Sequence, residues 1–229
     1  MLTKRKKLSK KEIKEDKLVT TYYKAYGYIQ ENLNRLAIYA GILVVVILAV
    51  ILYANNKAKN NETAGTELAR MMSSYDTGNY LEAIEGRAGT KLSGLKSIVD
   101  KYGSTENGEI AKIYMANSYN NLGKLDEAYK LYKDYSGSNK LFKATAIAGQ
   151  ASYQAYQKNY EKAADLYKKA AFVSDEDVLN PEYLLLAAIN YITAGKNSDA
   201  KELFAKIKKD YATSTAVREI DKYTLLLEQ

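Results

Sequence analysis

From Leu36 to Ala54 the chain reads LAIYAGILVVVILAVILYA, nineteen positions with no charge and no strongly polar side chain. A helix rises about 1.5 Å per residue, so this run reaches roughly 28 Å, close to the hydrocarbon thickness of a bilayer. A core helix in a small soluble domain keeps a polar stripe for water; this run has none and predicts a single transmembrane helix. Upstream, Leu18, Tyr22, Ala25, Tyr26, Ile29, Leu33 and Leu36 recur at three- and four-residue intervals, with Lys24, Gln30 and Asn34 opposite. That spacing predicts an amphipathic helix running into the span. Tyr22, Tyr26, Ile29 and Leu33 are the candidate membrane-interface residues, seated among lipid headgroups or docked on another membrane protein.

Downstream the period changes. AKIYMANSYNNLGKLDEAYKLYKDY places Ala116, Tyr119, Gly123, Ala128 and Tyr132 at the spacing of the tetratricopeptide pattern. Ala151, Tyr160, Ala163, Tyr167 and Ala170 form a second copy, and Ala188, Tyr191, Gly195, Ala200 and Phe204 a third. A degenerate copy, Gly78, Tyr80, Ala83 and Ile84, precedes them. Alanines 83, 128, 163 and 200 are 45, 35 and 37 residues apart, against a family period of about 34. Small residues let paired helices approach, aromatic ones fill the space between them, and glycine closes the turn.

The long first interval holds Gly86 and Gly89, which break a helix before Leu92–Tyr102 restarts one. Thr105 and Ser214 each follow a helix closing on tyrosine and are suited to cap the next helix. Asn180 with Pro181 predicts a cap followed by proline at the first helical position. These signals predict an all-α chain: a transmembrane helix, then a right-handed α-solenoid of about four helix pairs with a C-terminal capping helix. The expected segments are a basic lead at 1–35, the span at 36–54, a linker at 55–64 and a repeat domain at 65–229. Repeats fall at about 65–105, 106–138, 140–174 and 181–212, with the cap at 214–228.

Charge sharpens the topology. Residues 1–35 carry ten Lys or Arg against four acids, or +6, which leaves 24 basic and 23 acidic residues, or +1, for the rest. The flank before the span holds those ten; just after it come only Lys57 and Lys59. By the positive-inside rule the N-terminus is cytoplasmic and the large C-terminal part lies across the membrane. In a bacterium that is a single-pass inner-membrane protein with a periplasmic domain. Topology also accounts for the basic cluster without invoking nucleic acid.

The chain contains no Cys and no His, so the usual thiol nucleophile, near-neutral base and commonest zinc ligands are missing. No catalytic residue, cofactor, metal or small-molecule substrate is predicted. The one concentrated set of hard-cation ligands, Asp175, Glu176 and Asp177 beside Asn180, reads as an acidic loop near a helix N-terminus.

The order of basic lead, single span, irregular first repeat and three further repeats resembles the YfgM-like family of bacterial inner-membrane tetratricopeptide proteins. That resemblance covers nearly the whole chain. It implies a non-catalytic scaffold associated with the SecYEG translocon or with periplasmic chaperones; an envelope assembly scaffold, in cell division or outer-membrane biogenesis, is the alternative. Partners are then other proteins and the lipid bilayer. Counted from the aligned repeat positions, the partner-binding groove comprises Ile113, Asn117, Asn120, Asn121, Ser152, Tyr156, Leu185, Ile189 and Ile192, a mixed polar and apolar lining.

Overall fold

The computed structural model describes residues 10–90 and 92–224, with side chains from residue 17 onward. Residues 1–9 of the basic lead and 225–228 of the expected cap lie outside the described residues. Among the described residues there are eleven helices and no strand. In chain order they are α1 (Lys10–Glu31), α2 (Leu33–Asp76), α3 (Tyr80–Glu85), α4 (Leu95–Tyr102), α5 (Glu106–Asn121) and α6 (Leu125–Lys133). Then come α7 (Lys140–Tyr156), α8 (Tyr160–Ala171), α9 (Asn180–Thr193), α10 (Asn197–Asp210) and α11 (Thr215–Thr224). The chain divides into two compact units, residues 1–56 and 57–229.

In the first unit, the expected single helix running into the apolar segment is two helices parted at Asn32. The Asn32 amide and its side-chain Nδ2 both donate to Tyr28 O, at 3.1 and 3.0 Å, and Leu36 N donates to Asn32 O at 2.9 Å. An Asn side chain that competes for a backbone carbonyl weakens the helix there. Among the described residues α2 is the one helix long and apolar enough to cross a membrane; its most apolar 18-residue window has a mean hydropathy of 2.9 and buries nothing.

The segment expected as a linker, 55–64, is helical and continuous within α2. It holds neither Gly nor Pro, and extending an existing helix costs far less than nucleating one. Thr63 and Thr66 return their hydroxyls to the carbonyls of Lys59 and Glu62, at 3.0 and 3.1 Å. In the second unit Ala64, Leu68 and Met71 put one face of α2 into a core with Ala83, Ile84, Leu95, Ile98, Ala111 and Met115. Asn107 donates its backbone N–H to Asn61 Oδ1 and its Nδ2 to Asn61 O, both at 2.8 Å, and so ties α5 to α2.

Four helix-to-helix turns share one hydrogen-bond pattern. Gly78, Gly123, Lys158 and Gly195 all have positive φ. The N–H of each donates three residues back, to the carbonyls of Tyr75, Asn120, Ala155 and Ile192. The next N–H, of Asn79, Lys124, Asn159 or Lys196, reaches five residues back, to Ser74, Tyr119, Gln154 or Tyr191. This is the Schellman closure, in which a left-handed residue satisfies the last free carbonyls of a helix. Five residues beyond each turn residue stands Ala83, Ala128, Ala163 or Ala200, at most 1% exposed. Four residues further, Tyr132, Tyr167 and Phe204 lie buried on the same helix faces.

Successive helices from α3 to α11 pack on their sequence neighbours where such contacts are extensive, and α5 also touches α7 as α9 touches α11. The first interval is longer because residues 86–94 interrupt its second helix, leaving α3 and α4 as two short pieces. Gly86 (φ +80°) is required there: a Cβ would lie 2.5 Å from Leu92 O. Thr105 caps α5 by accepting from Gly108 N at 3.1 Å, and Ser214 Oγ accepts from Ala216 N at 3.2 Å. Asn180, by contrast, is already inside α9, and Leu179 occupies the cap position. Its side chain donates instead to Ser174 O at 2.6 Å, closing the preceding loop.

The loop between α6 and α7 is clamped by two carboxylates of α5. Glu106 accepts from Ser138 N (2.9 Å), Ser138 Oγ (2.9 Å) and Asn139 N (2.8 Å). Buried Glu109 accepts from Ser136 N (2.7 Å) and pairs with Lys112 (2.6 Å), which also reaches Asp134 O (3.0 Å). Burial alone would push the Glu106 carboxyl up, but the Ser138 and Asn139 bonds outweigh it, with Lys57 adding to them, and hold it below its ordinary 4.5.

Two outcomes follow from the turns and the clamp. Lys158 is the one non-glycine in the left-handed position, so Lys158→Gly should stabilise the chain by about 1 kcal/mol and Gly123→Lys should destabilise it by a similar amount, read as denaturant midpoints. Because the folded pKa of Glu106 is depressed, its contribution is full above the ordinary carboxylate value and fades as pH falls through the folded one. The stability gap between wild type and Glu106→Gln, about 2 kcal/mol near neutrality, should therefore narrow as the pH is taken down through and below the ordinary carboxylate range.

Candidate interaction groove

The first helices of the repeats, α5, α7 and α9, carry all nine predicted groove residues, and their surroundings sort them into three groups. Ile113 and Leu185 are 1% and 4% exposed; both are core, a correction to their assignment as lining. They share helices with the groove positions but fall on the inward stripe, where apolar residues gain most from burial. Ile189 and Ile192 are half-buried against the same core as Leu185.

Asn117 and Ser152 serve the buried tyrosines. Tyr132 Oη donates to Asn117 Oδ1 at 2.6 Å, and Asn117 also hydrogen-bonds Tyr75. Ser152 hydrogen-bonds Tyr167. Burial pushes the Tyr132 phenol far above its ordinary value, so it stays a neutral donor. Its ring lies against Gly149, where a Cβ would collide with it.

Asn120, Asn121, Ser152 and Tyr156 are exposed. Three of them, Asn120, Ser152 and Tyr156, converge on a crevice between α6 and α7 that Tyr129, Tyr132 and Tyr153 also line. Its interior is about 20 Å³, room for roughly one water. It is a seam between helices, with the Tyr156 ring, 65% exposed, standing at its mouth. Leu185, Ile189 and Ile192 do not line it.

The repeat spacing did not single out Tyr129 and Tyr153. Their rings stack at 4.2 Å and 18°, and Tyr153 Oη donates to Asp126 Oδ1 at 2.5 Å. Tyr191 makes a similar link to Asp165 at 2.6 Å. Burial first, then the Asp165 carboxylate, push Tyr191 upward. Each tyrosine joins the first helix of one pair to the second helix of the pair before. A larger and more open hollow, about 690 Å³, lies among Lys158, Tyr160, Glu161, Lys162, Asp165 and Ala194, with charges of both signs.

At the acidic loop, Asp177 Oδ1 accepts from Leu179 N at 2.9 Å, and among the described residues no three acidic, His or Cys side chains converge as metal ligands. Of the residues predicted for a membrane interface, Tyr22, Tyr26 and Ile29 lie on α1 and Leu33 opens α2, all exposed. No protein-family model, curated protein or solved structure matches the chain. Over the described residues it is an all-helical protein with one span-length N-terminal helix.

The groups separate by mutation. Tyr156→Asp should leave stability within about 0.5 kcal/mol of wild type. Asn117→Leu strands the Tyr132 hydroxyl and should cost about 2 kcal/mol in chemical denaturation.

Proposed function

We propose that the protein is a non-catalytic scaffold of tetratricopeptide type, held by one transmembrane helix with its N-terminus in the cytoplasm and its repeats on the far side. The observation that carries this reading is the four-fold recurrence of the same turn, Gly78, Gly123, Lys158 and Gly195, each followed five residues later by a buried alanine. Helix pairs related this way stack into a solenoid whose first helices face a common groove. Here that face offers amide, hydroxyl and phenol groups from Asn120, Asn121, Ser152 and Tyr156, suited to an extended or unfolded polypeptide.

The absence of Cys and His from the sequence fits a binding role better than nucleophilic or acid–base chemistry. Resemblance to the YfgM-like proteins supports a bacterial inner-membrane location and partners among SecYEG subunits or periplasmic chaperones. Photoreactive residues at Tyr156 and Asn121, crosslinked in the native membrane and read by mass spectrometry, should capture translocon subunits, chaperones or emerging secretory chains. Capture of division or outer-membrane assembly proteins instead would move the assignment to envelope assembly. No crosslink above that of a probe at Lys201, on the second helix of a pair, would count against the groove.

A further inference from the structure

We infer that α1 is a docking element for anionic lipid, lying on the headgroup layer of the leaflet that α2 enters; this rests on the spanning role proposed above. α1 is 22 residues long and has no extensive packing partner among the described helices. In proteins most of a helix's stability comes from packing one of its faces rather than from propensity. One exposed stripe is apolar and aromatic, Leu18, Tyr22, Tyr26 and Ile29, and Val19, Tyr23 and Tyr28 outside it are exposed as well. The Tyr22 and Tyr26 rings run nearly parallel, 6.3 Å apart. At about 100° per residue, Lys17 and Lys24 project from the other side.

Two further observations choose the occupant. The charge excess of the chain is concentrated in the sequence that carries this helix, +6 in residues 1–35 and +1 in all the rest, which complements an anionic leaflet. The face is also continuous with the span: only Asn32 separates α1 from α2. Tyrosine, with an apolar ring and a polar tip, is the side chain that headgroup depth favours, and exposed Tyr39 and Tyr53 stand near the two ends of the apolar run. An amphipathic helix tethered to a span needs little intrinsic affinity, because the span fixes it at the surface.

The chain has no cysteine, so single cysteines report without background. Full-length Tyr26→Cys and Val46→Cys variants would carry a nitroxide and be placed in nanodiscs of phosphatidylcholine alone or mixed with phosphatidylglycerol. A probe at position 46 should be lipid-immersed in both. At position 26, access of an aqueous relaxation agent should fall roughly fivefold in the anionic discs only, and high salt or Lys17→Gln with Lys24→Gln should restore it. Equal access in both lipids with position 46 immersed overturns the lipid role and leaves the span standing. A water-accessible position 46 overturns both. Shielding of position 26 that needs other membrane proteins in the disc also overturns the lipid role and assigns the face to a protein.

Discussion

Close approach of two helices just beyond a left-handed turn is the constraint from which the rest of the second unit follows. Each Schellman closure ends one helix without stranding its carbonyls and starts the next within a residue or two. The returning helix then buries Ala83, Ala128, Ala163 or Ala200 within its first turn or so. A larger side chain there would force the pair apart, and overpacking of this kind costs about 1–3 kcal/mol. One turn beyond its alanine, Tyr132 reaches Asn117 of the partner helix and lays its ring against Gly149 of the next pair. Turn, alanine and aromatic form one device, repeated with small errors.

The links between pairs are of another kind. They are polar and local: the Asn107–Asn61 amide pair, the Glu106 and Glu109 clamps on the 136–139 loop, and the Tyr153–Asp126 and Tyr191–Asp165 bonds. Hydrogen bonds to charged groups carry more than neutral ones and demand defined geometry. They set the register of one pair on the next where apolar contact alone is non-directional. The outward side of the first helices is left with Asn120, Asn121, Ser152 and Tyr156, groups able to accept or donate hydrogen bonds.

Much of this was legible in sequence because it rests on residues of fixed conformational or steric meaning. Glycines 78, 123 and 195 and the four alanines announce the turns, and the uncharged run at 36–54 announces the long apolar helix. Lys158 takes the same left-handed position without the glycine that would have advertised it. The misplacements share a cause. Repeat position puts Ile113 and Leu185 on the groove helices, but burial depends on which side of each helix meets its neighbours. Residues 55–64 look like a linker in composition, yet nothing in them stops a helix already running. Asn180 looks like a cap, but the carbonyl of Ser174 takes its amide. Tyr129 and Tyr153 lie off the repeat signature, and only packing brings them together.

We propose that one helix anchors this domain across a membrane from its basic N-terminus, and protease access tests that anchoring most directly. Spheroplasts treated with protease from outside should lose the part of the chain that follows the span and keep a fragment carrying residues 1–54. Retention of the intact chain, with digestion only after the membrane is broken, would place the repeats in the cytoplasm and contradict the account.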